Sequence, residues 1–177
     1  MEQAERQWWL LYSIIVAGKS ARFAENALGK WTDANIHNKE EPFNVIENLL
    51  KDGELENSFR IARTGNYRKL VKACKDVLRD KPNLKTCSPG ELLGICGVGP
   101  KTARFFIIWT RPDEEYAVLD VHVLRWLKEQ GIPNVPRSTP NRKEYARLEK
   151  EVLRIAKERG MTASALDQEV WSSRARY

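Results

Sequence analysis

Cysteine is scarce, and that scarcity excludes several classes of protein at once. The 177 residues hold three, Cys74, Cys87 and Cys96, an odd set with no close pair. Neither a disulfide framework nor a four-cysteine metal site can be assembled from them. Long apolar runs are missing as well. The longest, Trp8 to Gly18, is broken by Ser13 and falls short of the roughly 20 residues that a membrane span needs. The opening residues Met1 to Arg6 are acidic on balance, with no small-residue cleavage site after them, so a secretory signal is not expected. Ten Gly and eight Pro are ordinary numbers and exclude low complexity. These absences lead to the expectation of an intracellular, reduced protein with no structural metal and no membrane contact; a monomer without a cofactor is also expected, though not from these absences.

What the chain does contain is a globular balance, 42% apolar and 31% charged residues, over a length suited to one domain at about 150 residues per domain. Thirty Lys plus Arg against 24 Asp plus Glu leave a net charge of +6, with a sequence pI near 9.3. Such an excess points to a polyanionic partner, nucleic acid being the commonest. A basic enzyme with no such partner carries the same charge, and charge alone does not separate the two.

The chain reads almost wholly as helix. Over residues 5–29, Trp8, Leu11, Tyr12 and Ile15 fall at helical spacing, and the pattern restarts at Phe23, Ala27 and Leu28. Two helices hinged at Ala17-Gly18-Lys19 are expected. Pro42 to Leu50 reads as a short helix with Pro in its first turn. Tyr67, Leu70, Val71, Cys74, Val77 and Leu78 make an apolar stripe, and the opposite face carries Arg68, Lys69, Lys72, Lys75 and Arg79. That basic face suits a phosphate backbone or simply a solvated surface.

Ser88-Pro-Gly-Glu91 has the form of a capping box, opening a helix expected to end near Ile95. Pro100 opens Lys101 to Thr110, apolar on nearly every side and therefore expected at the centre of the domain. Asp120 is placed to cap Val121 to Leu127, Asn141 to Arg159 carries Tyr145, Leu148, Val152 and Ile155 on one face, and a last helix runs from about Ala163 to Trp171. Val and Ile are scattered singly, without two-residue alternation, so an all-α fold is expected.

Residues 88–127 carry the most information. Two helices are joined by Cys96-Gly97-Val98-Gly99, whose glycines permit unusual backbone angles and close approach. Their N–H groups and the N-terminus of the next helix suit a phosphate oxygen, although a tight helix-to-helix turn needs the same glycines. The string Leu92-Leu-Gly-Ile-Cys-Gly-Val-Gly-Pro-Lys-Thr-Ala103, followed by Leu119-Asp120-Val121-His122, resembles the helix-hairpin-helix DNA glycosylase superfamily. Lys101 stands where bifunctional glycosylase/lyase members carry their lysine. Ile132 to Trp171, with Ser138-Thr-Pro-Asn-Arg-Lys-Glu-Tyr-Ala-Arg-Leu-Glu149 and Leu166-Asp-Gln-Glu-Val-Trp171, is similar to the small archaeal-type (type 2) 8-oxoguanine DNA glycosylases. The resemblance implies a single two-lobed helical domain over residues 1–177, hairpin at about 89–110, active site between lobes and chain termini contributing to one lobe. Type 2 enzymes commonly end in a lysine, whereas this chain ends Arg174-Ala-Arg-Tyr177, which leaves the base open. The iron–sulfur cysteines of endonuclease III relatives are missing.

The chemistry can also be argued from the residues. Breaking an N-glycosidic bond builds positive charge on the sugar, which a nearby carboxylate stabilises. Asp120 at a helix N-terminus suits that role, since the helix dipole favours the anion. A lysine amine attacks C1′ only when it is free of its proton. Burial and a positive helix end both favour the free amine at Lys101, and Asp120 can accept the proton. On spacing alone, Lys101 as a phosphate contact and Asp120 as a plain helix cap is the favoured reading, and the resemblance turns the balance toward catalysis.

The resemblance implies further roles: Gly97, Val98, Gly99, Thr102 and His122 on the DNA backbone, Lys19 and Ser20 near the strand, and Asp167, Gln168 and Trp171 around an extruded base. His122 and Trp171 would also serve as structural residues, and Asp167 as a first-turn acid of its helix. The expected function is a bifunctional DNA glycosylase/AP lyase that excises an oxidised purine from double-stranded DNA. A glycosylase for another damaged or hypermodified base, or a non-catalytic DNA-binding hairpin module, are the alternatives.

Overall fold

The computed structural model describes residues 1–37 and 40–174. The described residues form ten helices and no strand, so the all-α expectation holds. Their arrangement divides into two compact units, Met1–Gly99 and Pro100–Tyr177, with the boundary inside the expected hairpin. The N-terminal helix belongs to the first unit and the C-terminal helix to the second. Of the Arg174–Tyr177 end, residues 175–177 lie outside the described residues.

The first unit holds α1 (Gln3–Ile15), α2 (Ala21–Asn35), α3 (Pro42–Lys51), α4 (Leu55–Ile61), α5 (Tyr67–Asp80) and α6 (Pro89–Leu92). The α1–α2 hinge falls where the sequence places it. Gly18 takes φ +76, a left-handed angle that glycine adopts without strain, and Ser20 Oγ then caps α2 by accepting the Phe23 N–H. Helix α4 was not expected from the sequence. Its seven residues carry too few periods to be read locally, yet Leu55 and Phe59 are fully buried. Trp31 joins them, its indole N–H donating to Ser58 Oγ at 3.0 Å so that the buried ring leaves no polar group unmet.

Helix α6 opens with the complete capping box, Ser88 and Glu91 each accepting from the other's backbone. It ends at Leu92 rather than near Ile95. Beyond it the chain tightens, with Leu93 N–H bonding Gly90 O and Ile95 N–H bonding Leu92 O, three-residue turns that bring the hairpin glycines into place.

The second unit holds α7 (Pro100–Thr110), α8 (Val121–Glu129), α9 (Arg142–Glu158) and α10 (Ala163–Arg174). Trp126, Leu127, Tyr145, Leu148, Val152, Leu166 and Val170 close one core between α8, α9 and α10. Helix α7 corrects the expectation of burial on every side. Ala103, Phe106, Ile107 and Ile108 are buried, but Phe105 is half-buried and Trp109 is 37% exposed. Those two rings, four residues apart, pack on each other at 5.8 Å, so α7 has one half-wet aromatic edge.

Candidate active site

Three acid or base side chains of the second unit share one electrostatic neighbourhood. Lys101 lies in the first turn of α7, Asp120 is the N-cap of α8, and Asp167 lies in the first half of α10. The Asp167 carboxyl is raised from its ordinary 3.8 to about 7, chiefly by burial and also by the charge of Asp120, with the charge of Lys101 opposing the shift. An acid so placed is about half protonated at neutral pH and able to donate a hydrogen bond.

Asp120 is fixed by its cap. Its Oδ1 accepts the backbone N–H of His122 at 2.8 Å and of Val123 at 2.9 Å. Among the described residues Oδ2 accepts no hydrogen bond, and the Lys101 amine has no carboxylate within 4.0 Å. One oxygen therefore positions the carboxylate while the other stays available.

A second layer, which the sequence reading missed, holds this arrangement in place. Glu149 of α9 accepts from Arg104 of α7 through both oxygens, at 2.5 and 2.8 Å, and from the Ala117 N–H at 3.0 Å. Tyr145 donates its hydroxyl to Ala117 O at 2.9 Å and accepts the Leu119 N–H at 3.0 Å. Arg104 follows Lys101 by three residues, on the same side of α7, and Leu119 precedes Asp120. One pair of α9 side chains thus sets both the lysine's helix and the aspartate's approach. The signal was present: Glu149 follows Tyr145 by four residues and Leu148 by one, so a charge lies on the apolar stripe and must find a buried partner. Tyr145→Phe should cost about 1–3 kcal/mol, because Leu119 N–H and Ala117 O lose a buried partner. Urea melts of the two proteins measure it, and equal midpoints would remove Tyr145 from this role.

The pH dependence of stability offers a direct check on Asp167. Its folded value of about 7 lies above the 3.8 expected of the unfolded chain, so the folded state binds the proton more tightly. No penalty exists below pH 4; it grows between pH 4 and 7 and is complete above 7. Asp167→Asn removes the ionisation. The variant should match the parent near pH 4 and exceed it by roughly 1–3 kcal/mol at pH 8. A difference that does not change with pH would contradict the neighbourhood described above.

The remaining residues are distributed unevenly. His122 is half-buried, its backbone N–H on Asp120 and its ring without a hydrogen bond among the described residues. Thr102 is 8% exposed. Trp171 follows Asp167 by four residues, on the same side of α10, and is 36% exposed rather than closed into the core. Gln168 is exposed, turned about 100° around α10 from Asp167.

In the first unit, Gly97 takes φ +86, the left-handed angle that favours glycine, and the Lys69 stem lies across it, Cε 2.9 Å from where a Cβ would stand. Gly99 has neither constraint, since a Cβ would meet nothing within 4 Å. The Val98 N–H donates to Ile95 O at 3.0 Å. The Gly97 and Gly99 amides carry no hydrogen bond among the described residues. Lys19 donates its amine to Thr64 O at 2.5 Å and sits 5.2 Å from the Phe23 ring centre, so it ties the α1–α2 hinge to the loop after α4.

Comparison with known proteins places this architecture. No curated protein sequence matches the chain. Among solved structures, the Methanocaldococcus jannaschii 8-oxoguanine DNA glycosylase superposes with a TM-score of 0.73 at 24% identity, covering 98% of this chain and 79% of that one. The M. jannaschii 8-oxoguanine glycosylase/lyase in complex with a 15mer DNA containing 8-oxoguanine gives 0.71 at 22%, covering 97% and 81%. The 8-oxoguanine DNA glycosylase of Thermotoga maritima gives 0.71 at 20%, covering 96% and 79%. These likenesses establish the fold. The family model described as 8-oxoguanine DNA glycosylase matches residues 2–161, nine-tenths of the chain, and the chain belongs to that family.

Proposed function

We propose that the protein is a bifunctional DNA glycosylase/AP lyase that extrudes an oxidised guanine from duplex DNA, breaks its glycosidic bond with the Lys101 amine and nicks the strand by β-elimination. The observation that carries this reading is the convergence of Lys101, Asp120 and Asp167 from three helices on one neighbourhood of the second unit. Family membership and the M. jannaschii relative bound to a DNA containing 8-oxoguanine support oxidised guanine as the base.

In the proposed sequence the free Lys101 amine attacks C1′ as the glycosidic C–N bond breaks, and the bonding pair leaves on the base, which takes up a proton. Asp120, held through Oδ1, turns Oδ2 toward the cationic sugar and accepts the proton lost from the amine. Ring opening gives a Schiff base to Lys101. Loss of a C2′ proton then expels the 3′ phosphate, and water hydrolyses the Schiff base. Asp167, about half protonated at neutral pH, donates to the base edge, and the Trp171 ring stacks on the extruded base. The Gly97 and Gly99 amides, Thr102 and the His122 ring take backbone phosphate oxygens.

A panel of duplexes carrying 8-oxoguanine, thymine glycol, uracil or a hypermodified cytosine tests the reading by base release, with borohydride trapping of the covalent intermediate. Release and trapping with 8-oxoguanine are expected. Release of another base alone would change the substrate and keep the chemistry. Salt-sensitive binding with no release and no adduct from any duplex would leave only a DNA-binding module.

A further inference from the structure

Helix α5 presents a row of cations, most of which have no ion-pair partner among the described residues. Arg68, Lys72, Lys75 and Arg79 fall at i, i+4, i+7 and i+11, within about 60° of the helix circumference, and Lys69 flanks them. Arg79 is ion-paired, to Asp76 at 2.8 Å and Asp80 at 2.6 Å. Arg68, Lys69, Lys72 and Lys75 are all exposed, and none has a carboxylate within 4.0 Å among the described residues. Elsewhere on the surface Lys51, Arg60, Arg154 and Arg159 each meet a glutamate. On α5, Arg68 with Lys72, Lys69 with Lys72 and Lys72 with Lys75 are like charges at three or four residues, spacings at which they repel. The isolated helix is worse for them.

The same helix supports the hairpin. Asp76 Oδ2 accepts the Cys96 N–H at 2.9 Å. Lys69, seven residues before Asp76 and so on the same side, runs its stem across Gly97, with Nζ 3.7 Å from where a Cβ would stand. One cation of the row therefore ends beside the glycine turn whose amides the proposed function gives to backbone phosphate. From Arg68 to Lys75 the helix rises about 10 Å, the axial length of about three phosphates on one strand.

We propose that this face of α5 is a second backbone-phosphate surface for duplex DNA, continuous with the hairpin through Lys69. It rests on the reading of the chain as a DNA-processing enzyme. Phosphate contacts carry no sequence information, so the surface grips damaged and undamaged duplex alike and adds affinity without taking part in bond breaking.

The test is the salt dependence of binding by the full chain to short undamaged and 8-oxoguanine duplexes, between about 50 and 200 mM salt. The double variant Lys72→Gln/Lys75→Gln should lower the slope of log affinity against log salt by about 1.8, at roughly 0.9 per phosphate contact, and weaken binding about tenfold or more at 0.1 M salt on both duplexes. Lys69→Gln should lower the slope by about 0.9. Single-turnover base release at saturating protein should be unchanged. The matched double variant Lys150→Gln/Lys157→Gln, which removes two exposed charges of α9, should keep the parent slope. Lysine acetylation followed by mass spectrometry gives an independent measurement, with Lys69, Lys72 and Lys75 protected by undamaged duplex. An unchanged slope, an equal fall in the α9 control, or equal acetylation with and without DNA overturns the proposal. Altered slopes in a protein that binds duplex yet releases no base would sustain this surface and defeat the glycosylase reading. Base release with unaltered slopes would do the reverse.

Discussion

The Lys101→Gln protein should fold, bind a lesion duplex, and give neither a borohydride-trapped adduct nor a nicked strand. Glutamine approximates the lysine stem but has no basic amine, so no Schiff base can form and β-elimination has no electron sink. The fold should survive, because the Lys101 amine has no carboxylate within 4.0 Å among the described residues and its removal breaks no ion pair. Loss of a nucleophile that acts as part of a unit typically costs about four or more orders of magnitude in rate, which takes both products below detection. The neighbourhood supplies an internal check. Lys101 opposes the upward shift of Asp167, so its loss should move that carboxyl above about 7, and carbon-detected NMR titration of Asp167 reads the movement directly. An adduct that persists in Lys101→Gln would place the nucleophile elsewhere. An unmoved Asp167 would mean that the three side chains do not share a site.

The fold was legible wherever a local signal was complete. Ser88 and Glu91 form the capping box that their spacing announces, Asp120 caps α8 through two backbone amides, and Gly18 breaks α1 from α2 at the expected turn. These features depend on neighbours within four residues, which a sequence displays. What the sequence concealed is decided at a distance. Helix α4 owes its existence to the burial of Leu55 and Phe59 against other helices, not to seven residues of propensity. Lys19 stands next to a helix cap, and nothing local announces that its amine bonds a carbonyl 45 residues away. Tyr145 reads as one more apolar residue of α9, and only its hydroxyl, on the backbone before Asp120, makes it a positioning residue. Lys101 and Asp120 were legible as a pair through the resemblance. That Asp167 joins them, with its carboxyl near 7, follows from burial and neighbouring charges that helical spacing cannot report.

Asp120→Asn should separate the two halves of the reaction. Asparagine is nearly the same size and its Oδ1 can keep both α8 amides that Asp120 holds at 2.8 and 2.9 Å, so cap and stability should change little. What disappears is the negative charge beside the developing sugar cation. Electrostatic stabilisation of that kind is worth about 10²–10³ in rate, or roughly 3–4 kcal/mol, and single-turnover release of 8-oxoguanine should fall by that factor at unchanged DNA affinity. The same charge helps hold the Asp167 carboxyl up, so in the variant Asp167 should titrate lower than in the parent. A duplex with a preformed abasic site then bypasses glycosidic cleavage. There the sugar already presents an open-chain aldehyde, Lys101 can condense with it without a cation to stabilise, and Asp120→Asn should retain measurable nicking where Lys101→Gln has none. If both variants lose nicking equally on the abasic duplex, the carboxylate serves chiefly to take the proton from Lys101. Its Oδ2, which accepts no hydrogen bond among the described residues, would then face the amine rather than the sugar.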